Sequence, residues 1–158
     1  MALRDAPDTA PPDGRRAPSV DELGAWRAFL RAHARITRVL EAELVAEQDL
    51  SLAAYDVLVQ LAEAPDRRLR MTELADAVLL SRSGVTRLVD RMERAGLVSR
   101  TRVPGDGRGV AAGLTDAGFH RLRVAARTHL AGVLRHFVAR LDEDDLCALE
   151  RISRRLAE

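Results

Sequence analysis

The chain has 158 residues, 47% of them hydrophobic and 31% charged, and a formal net charge of +1, a balance that fits one compact domain or two small lobes sharing a core. No apolar run approaches the roughly 20 residues of a membrane span, and the N-terminal residues lack the apolar centre of a secretion signal, so the cytoplasm is the expected compartment. A single cysteine, Cys147, excludes an internal disulfide.

Residues 1–18 hold four of the six prolines and almost no bulky apolar side chain, the composition of a disordered tail. Ser19-Val20-Asp21-Glu22 is a capping box that opens a long helix to about Glu47. Its apolar stripe is Leu23, Trp26, Leu30, Ile36, Leu40 and Leu44, widened by Phe29 and Val39. Ser51 caps a second helix with Leu52, Tyr55, Leu58 and Leu61 on one face, and Pro65 ends that region. The segment from Asp66 to Arg70 is too short for a helix and reads as a small strand. Thr72 is expected to cap a short helix holding Leu74, Ala75 and Val78. Ser81 caps the next, with Val85, Leu88, Val89 and Met92 on one face and Gly96 just past its end.

Leu97 to Val103 and Gly109 to Leu114 are predicted strands of a hairpin turning through Pro104-Gly105-Asp106-Gly107. Gly109-Val110-Ala111-Ala112-Gly113 is poor strand material by propensity, so a soft hairpin is expected. Thr115 opens a helix through about Arg140, with Leu122, Ala126, Leu130, Val133, Leu134 and Phe137 turned inward. Asp142 caps the last helix, along which Leu146, Leu149, Ile152 and Leu156 share a side.

Helix, tight turn, helix and hairpin in this order are the layout of a winged helix-turn-helix. The fold class is therefore mainly α with a small β-wing. Its divisions are a tail at 1–18, a dimerisation helix at 19–47, a winged lobe at 51–115 and C-terminal dimerisation helices at 116–158. The first and last helices carry more apolar surface than so small a lobe covers, which points to a second copy of the chain. Every Lys or Arg position is arginine. Between Ser81 and Arg108 seven of them (Arg82, Arg87, Arg91, Arg94, Arg100, Arg102 and Arg108) face only Asp90, Glu93 and Asp106. Such a local surplus is an electrostatic footprint for nucleic acid.

With its apolar side inward, the helix from Ser81 turns Ser83, Thr86, Arg87, Asp90 and Arg94 outward, with Arg82 in its first turn. A groove-reading helix needs short polar residues near its start, so that the backbone approaches DNA, and an arginine to bond guanine O6 and N7. Its free N–H groups also suit a phosphate. The candidate contacts to double-stranded DNA are Ser81, Arg82, Ser83, Gly84, Thr86, Arg87, Arg91 and Arg108, the last entering a minor groove from the hairpin tip. Asp106 is assigned to bracing an arginine, either Arg108 or one on the helix. The plainer readings are a solvated arginine-rich face and a polar hairpin tip; the ordered combination of elements favours DNA.

Trp26, His33 and Tyr55 are the candidates for a small-molecule effector pocket, since an aromatic body with a polar tip suits a phenolic ligand. The competing reading makes Trp26 and Tyr55 core residues and His33 a partly buried histidine. Cys147 has Asp144, Asp145 and Glu150 nearby and no adjacent basic residue, which favours a buried or interface cysteine over a reactive thiol. His129 and His136 lie two turns apart, and no Cys/His cluster has metal spacing. No nucleophile elbow, phosphate-binding loop or dinucleotide fingerprint is present, so neither an enzyme nor a cofactor is expected.

The stretches Met71-Thr72-Glu73-Leu74-Ala75, Ser81 to Arg91 and Glu93-Arg94-Ala95-Gly96-Leu97-Val98 resemble the MarR family of bacterial transcription regulators. So do Asp106 and Arg108 in an Asp-x-Arg pattern, and Leu114, Thr115 and Gly118 in a Leu-Thr-x-x-Gly pattern. The resemblance covers about residues 20–156. It implies a homodimer that binds pseudo-palindromic DNA, usually as a repressor, and that in many members releases DNA when a small, often phenolic, ligand binds. The rival reading is a dimeric protein-interaction module whose winged lobe does not read DNA.

Overall fold

The computed structural model describes residues 16–78, 80–103, 105 and 109–158. Asp106 and Arg108, and nearly all of the tail expected at 1–18, lie outside the described residues. The chain divides within its first helix into two compact units, Met1–Arg35 and Ile36–Glu158. Among the described residues no helix is long and apolar enough to cross a membrane.

Helix α1 (Val20–Gln48) begins at the expected capping box. The Ser19 N–H donates to Glu22 Oε2 at 2.7 Å and the Glu22 N–H to Ser19 Oγ at 3.2 Å. In the N-terminal unit, Trp26, Phe29 and Leu30 are exposed. The second unit starts with the C-terminal half of α1, whose Leu40 and Leu44 are buried. Helix α2 (Leu52–Glu63) is capped by Ser51, which accepts from the Ala54 N–H, while Glu41 accepts from the Leu52 N–H at 2.5 Å. A 3₁₀ turn at Pro65–Arg67 leads into strand β1 (Arg68–Arg70).

Helix α3 (Met71–Ala77) begins earlier than expected, with Arg70 rather than Thr72 as its cap residue. Strand β1 runs directly into the helix, and Glu73 reaches back to accept from the Arg70 N–H at 2.9 Å. Helix α4 (Arg82–Arg94) has the predicted Ser81 cap, which accepts from the Gly84 N–H at 3.1 Å. It closes in a Schellman turn: the Leu97 N–H donates to the Met92 carbonyl and the Gly96 N–H to the Glu93 carbonyl, both at 2.9 Å. Gly96 has φ +72° there, a conformation that glycine adopts without strain.

Strands β2 (Val98–Arg102) and β3 (Val110–Leu114) form the hairpin, and β3 also pairs with β1, so the sheet order is β1-β3-β2. The segment of poor strand propensity thus becomes the central strand. Its small residues fit where they stand: Ala112 is fully buried, and a Cβ on Gly113 would press on the Arg68 side chain at 3.2 Å. Tertiary packing overrides propensity here.

Helix α5 (Asp116–His136) ends at Phe137, short of the expected Arg140, and Val138–Arg140 form a 3₁₀ turn. Thr115 is the joint between α4 and α5. Its hydroxyl donates to the Gly96 carbonyl at 2.7 Å and accepts from the Gly118 N–H at 3.0 Å. A Cβ on Gly118 would lie 2.0 Å from the Leu97 carbonyl oxygen, so this contact admits only glycine. The Leu-Thr-x-x-Gly pattern is therefore a packing requirement.

The buried face of α5 is Gly118, Leu122, Ala125, Thr128 and Gly132. Leu130 and Leu134, expected inward, are 58% and 60% exposed because they lie off that face. Ala126, Val133 and Phe137 are half-buried. Helix α6 (Glu143–Ala157) is capped by Asp142 and buries no residue. Leu44, Val57, Leu58, Leu61, Leu74, Val85 and Val89 are the fully buried centre of the core, closed by Val98 and Ala112 from the sheet.

Candidate nucleic-acid interface

Helix α4 holds the site. Val85, Leu88, Val89 and Met92 point into the core and fix its rotation. Ser81, Arg82, Ser83, Thr86, Arg87, Arg91 and Arg94 are left exposed, and Gly84 is half-buried. Seven of the eight predicted DNA contacts therefore fall together, six on α4 and the seventh, Ser81, at its N-cap. The eighth, Arg108, lies outside the described residues, as does Asp106, the residue assigned to bracing an arginine. The first turn of α4 is built for close approach. Ser81 Oγ is held by the Gly84 N–H, and the Thr86 hydroxyl folds back to donate to the Arg82 carbonyl at 2.9 Å.

The acids of this region attend to an arginine that composition did not single out. Arg100 on β2 donates from Nη2 to the Thr86 carbonyl at 3.0 Å, while its Nη1 engages the Asp90 carboxylate and lies 3.4 Å from Glu93 Oε2. The Arg100 N–H donates to Glu93 Oε1 at 2.9 Å. Asp90 and Glu93 are thereby occupied and do not oppose DNA as free charges. The signal for this contact was the strand register, which sets Arg100 opposite the buried Ala112. A groove of about 520 Å³ lies beside it, lined by Met71, Thr72, Thr86, Arg100 and Val110 among others.

The effector candidates divide. Trp26 stacks on Phe29 with ring centroids 6.1 Å apart, and Phe29 meets His33 at 6.4 Å, so these three form an exposed aromatic row on α1. Neither Trp26 nor His33 is buried as the core reading expected. Tyr55 is a core residue, with its ring 4.5 Å from that of His129 on α5. Burial pushes the Tyr55 hydroxyl up, assisted by Asp56 and Glu63, and pushes the His129 imidazole down, against a small pull from Asp56. His129 Nδ1 is buried without a hydrogen-bond partner among the described residues.

His136 takes the other role open to a histidine, bonding Glu43 Oε1 at 2.7 Å beside Arg135 at the same distance. That hydrogen bond from His136, then the charge of Arg135, holds the Glu43 carboxyl below its usual range. Cys147 is exposed, not buried, and lines a shallow groove on α6 with Glu150, Arg151, Arg154 and Arg155. Arginines one and two turns on thus supply the basic neighbours that adjacent sequence lacked. Among the described residues no group of acids, histidines and cysteine has the makings of a metal site.

A helix-turn-helix whose second helix is outwardly arginine-rich, backed by a three-stranded hairpin sheet, defines a winged-helix protein. Its relatives agree. Residues 48–109 match the sequence model of the MarR family. The structure superposes on Sco3205, a MarR family transcriptional regulator from Streptomyces coelicolor solved in complex with DNA, with a TM-score of 0.85 and 36% identity. That match covers 92% of this chain and 91% of the other. AbsC from the same organism, also a MarR family transcriptional regulator, gives a TM-score of 0.81 at 36% identity over 90% of this chain and 96% of its own. A cysteine-to-serine mutant of MarR from E. coli, complexed with operator DNA, shares the fold at 22% identity, with a TM-score of 0.77 over 90% of this chain and all of its own. No curated protein sequence matches significantly. The chain belongs to the MarR family, and it is a transcriptional regulator rather than an enzyme.

Proposed function

We propose that the protein is a homodimeric repressor whose two α4 helices enter successive major grooves of a pseudo-palindromic operator. The observation that carries this reading is the division of α4 into a fully buried apolar side and an exposed side bearing Ser83, Thr86, Arg87 and Arg91. Arg87 is assigned to base edges and Ser83 and Thr86 to close approach. Ser81, Arg82, Gly84 and Arg91 hold the backbone, Arg108 reaches the minor groove, and Asp106 braces an arginine, either Arg108 or one on α4. In this reading 51–115 is the DNA-binding lobe. The helices at 19–47 and 116–158 make the dimer, which the exposed Trp26, Phe29, Leu30, Leu130, Leu134, Ile152 and Leu156 support. A small aromatic ligand, phenolic or similar, releases the DNA, and Trp26, His33 and Tyr55 remain the candidate residues to test for its recognition.

Selection from random-sequence duplexes tests the reading. An enriched inverted repeat with half-sites about one helical turn, or 34 Å, apart is expected. No enrichment would favour a protein-interaction module. On the selected site Arg87→Ala is expected to cost about 1–3 kcal/mol, with discrimination lost at one base position. Arg108→Ala should weaken binding with less change in preference. Trp26 is the only tryptophan, so quenching of its fluorescence by a phenolic acid reports the ligand directly; unchanged emission alongside undisturbed DNA binding removes the effector from the proposal.

A further inference from the structure

Arg100 sits inside the arginine-rich stretch yet turns its guanidinium onto the protein. Its partner in the register, Ala112, is fully buried, so Arg100 leaves the sheet on the side that faces α4. There one side chain spans Thr86, Asp90 and Glu93, which follow one another at helical spacing along a single face. Glu93 returns the contact by accepting the Arg100 N–H. No other residue type fits this arrangement. The planar fork of arginine presents several donors in fixed directions, whereas a lysine ammonium is a point charge on a flexible stem.

We infer that Arg100 is a positioning residue for base reading. It fixes the rotation and height of α4 against β2, and so the aim of Ser83, Thr86 and Arg87, without touching DNA itself. The inference rests on the reading that α4 enters the groove. The guanidinium and both carboxylates are 24–43% exposed, so screening by water leaves the cluster little influence on global stability. Its influence is on geometry. A bidentate contact to a base edge tolerates little misplacement, and a reading residue is only as accurate as the packing and hydrogen bonds behind it.

The test uses the full chain, the selected duplex and a scrambled one, across a series of salt concentrations. Arg100→Ala is expected to weaken the selected duplex on the order of ten-fold, or about 1.4 kcal/mol. Affinity for the scrambled duplex and the salt slope should stay at parent values, because no phosphate contact is lost. The thermal midpoint should hardly move, and Arg100→Lys should fail to restore discrimination. Hydrogen exchange without DNA should show faster exchange of the α4 amides in Arg100→Ala, with α2 unchanged.

Three results would overturn the inference: undiminished discrimination, restoration by lysine, or equal weakening of both duplexes with a slope reduced by about one, which marks a phosphate contact. Should the parent protein enrich no sequence, the DNA reading fails on its own. Exchange then decides the strap separately, since unchanged α4 protection in Arg100→Ala overturns it and faster exchange supports it.

Discussion

Helices α4 and α6 make an instructive pair. Each has charged residues on one side and a regular apolar row on the other. Val85, Leu88, Val89 and Met92 of α4 disappear into the core, whereas α6 buries nothing, with Ile152 45% and Leu156 72% exposed. The difference is in what surrounds them. Around α4 are α2, α3 and the sheet, all contributing fully buried side chains. A periodic row establishes that a helix has an apolar face; only the neighbouring elements decide whether the same chain covers it. The winged lobe is closed by its own residues, and α6 is left with a face to offer.

The largest expected effect breaks the closed side of this comparison. Gly118→Ala forces a Cβ to within 2.0 Å of the Leu97 carbonyl oxygen, a backbone atom that also accepts from the Thr115 N–H. Neither group moves without opening the joint between α4 and α5. A loss of at least about 3 kcal/mol, the upper end of overpacking costs, is expected in thermal or urea unfolding. Gly96→Ala is the matched control. It meets nothing within 4 Å and suffers only from φ +72°, for which about 1 kcal/mol is expected. Equal effects of the two would show that the joint yields and that Gly118 is no packing requirement.

The second prediction addresses the open side. If α6 is covered by a second copy, Ile152→Asp places a charge in that interface, with a penalty of several kcal/mol. Sedimentation at micromolar concentration should then give a monomer mass, with the selected duplex bound far more weakly for want of a second α4. The exposed Ile152 has no buried neighbour on its own helix to disturb. A variant that stays dimeric would place the interface elsewhere, on the exposed Leu130 and Leu134 of α5 or on the aromatic row of α1.

What could be read from residue order follows the same division. The caps at Ser19, Ser51, Ser81, Thr115 and Asp142 were legible because each is a local bond, from a side chain to an N–H three residues on. The exposed side of α4 was legible too, because its buried side was. The start of α3 is not local in this way: Thr72 has the chemistry of a cap, but Glu73 serves the Arg70 N–H as β1 runs into the helix. Leu130 and Leu134 lie outside the core, contrary to expectation, because periodicity does not say which of two adjacent faces meets the core. The Arg100 strap needed the strand register, which no local pattern reveals. Cys147 kept its acidic sequence neighbours, yet the fold of α6 added Arg151 and Arg154 around it.

The smallest expected effect concerns α5, which belongs to both sides of the comparison. On the closed side, His129 lies against Tyr55, with its Nδ1 buried and unpartnered among the described residues. Burial lowers its proton affinity, and the charge of Asp56 only partly offsets this. A histidine with a depressed folded-state pKa stabilises the fold above its unfolded value of 6.5, and that contribution is lost as pH falls through the folded value. The unfolding midpoint of the parent should therefore decline between pH 7 and the mid-acid range. Glu43, held low mainly by the His136 hydrogen bond, adds its own loss only below its unfolded value of 4.5, so the two windows separate. His129→Phe keeps a ring against Tyr55 and removes the proton. The midpoint difference between variant and parent should widen on acidification from pH 7 to pH 5, the parent losing stability that the variant keeps. A constant difference across that range would mean that the imidazole accepts its proton without leaving Tyr55. The closed side would then be more yielding at this point than its burial implies.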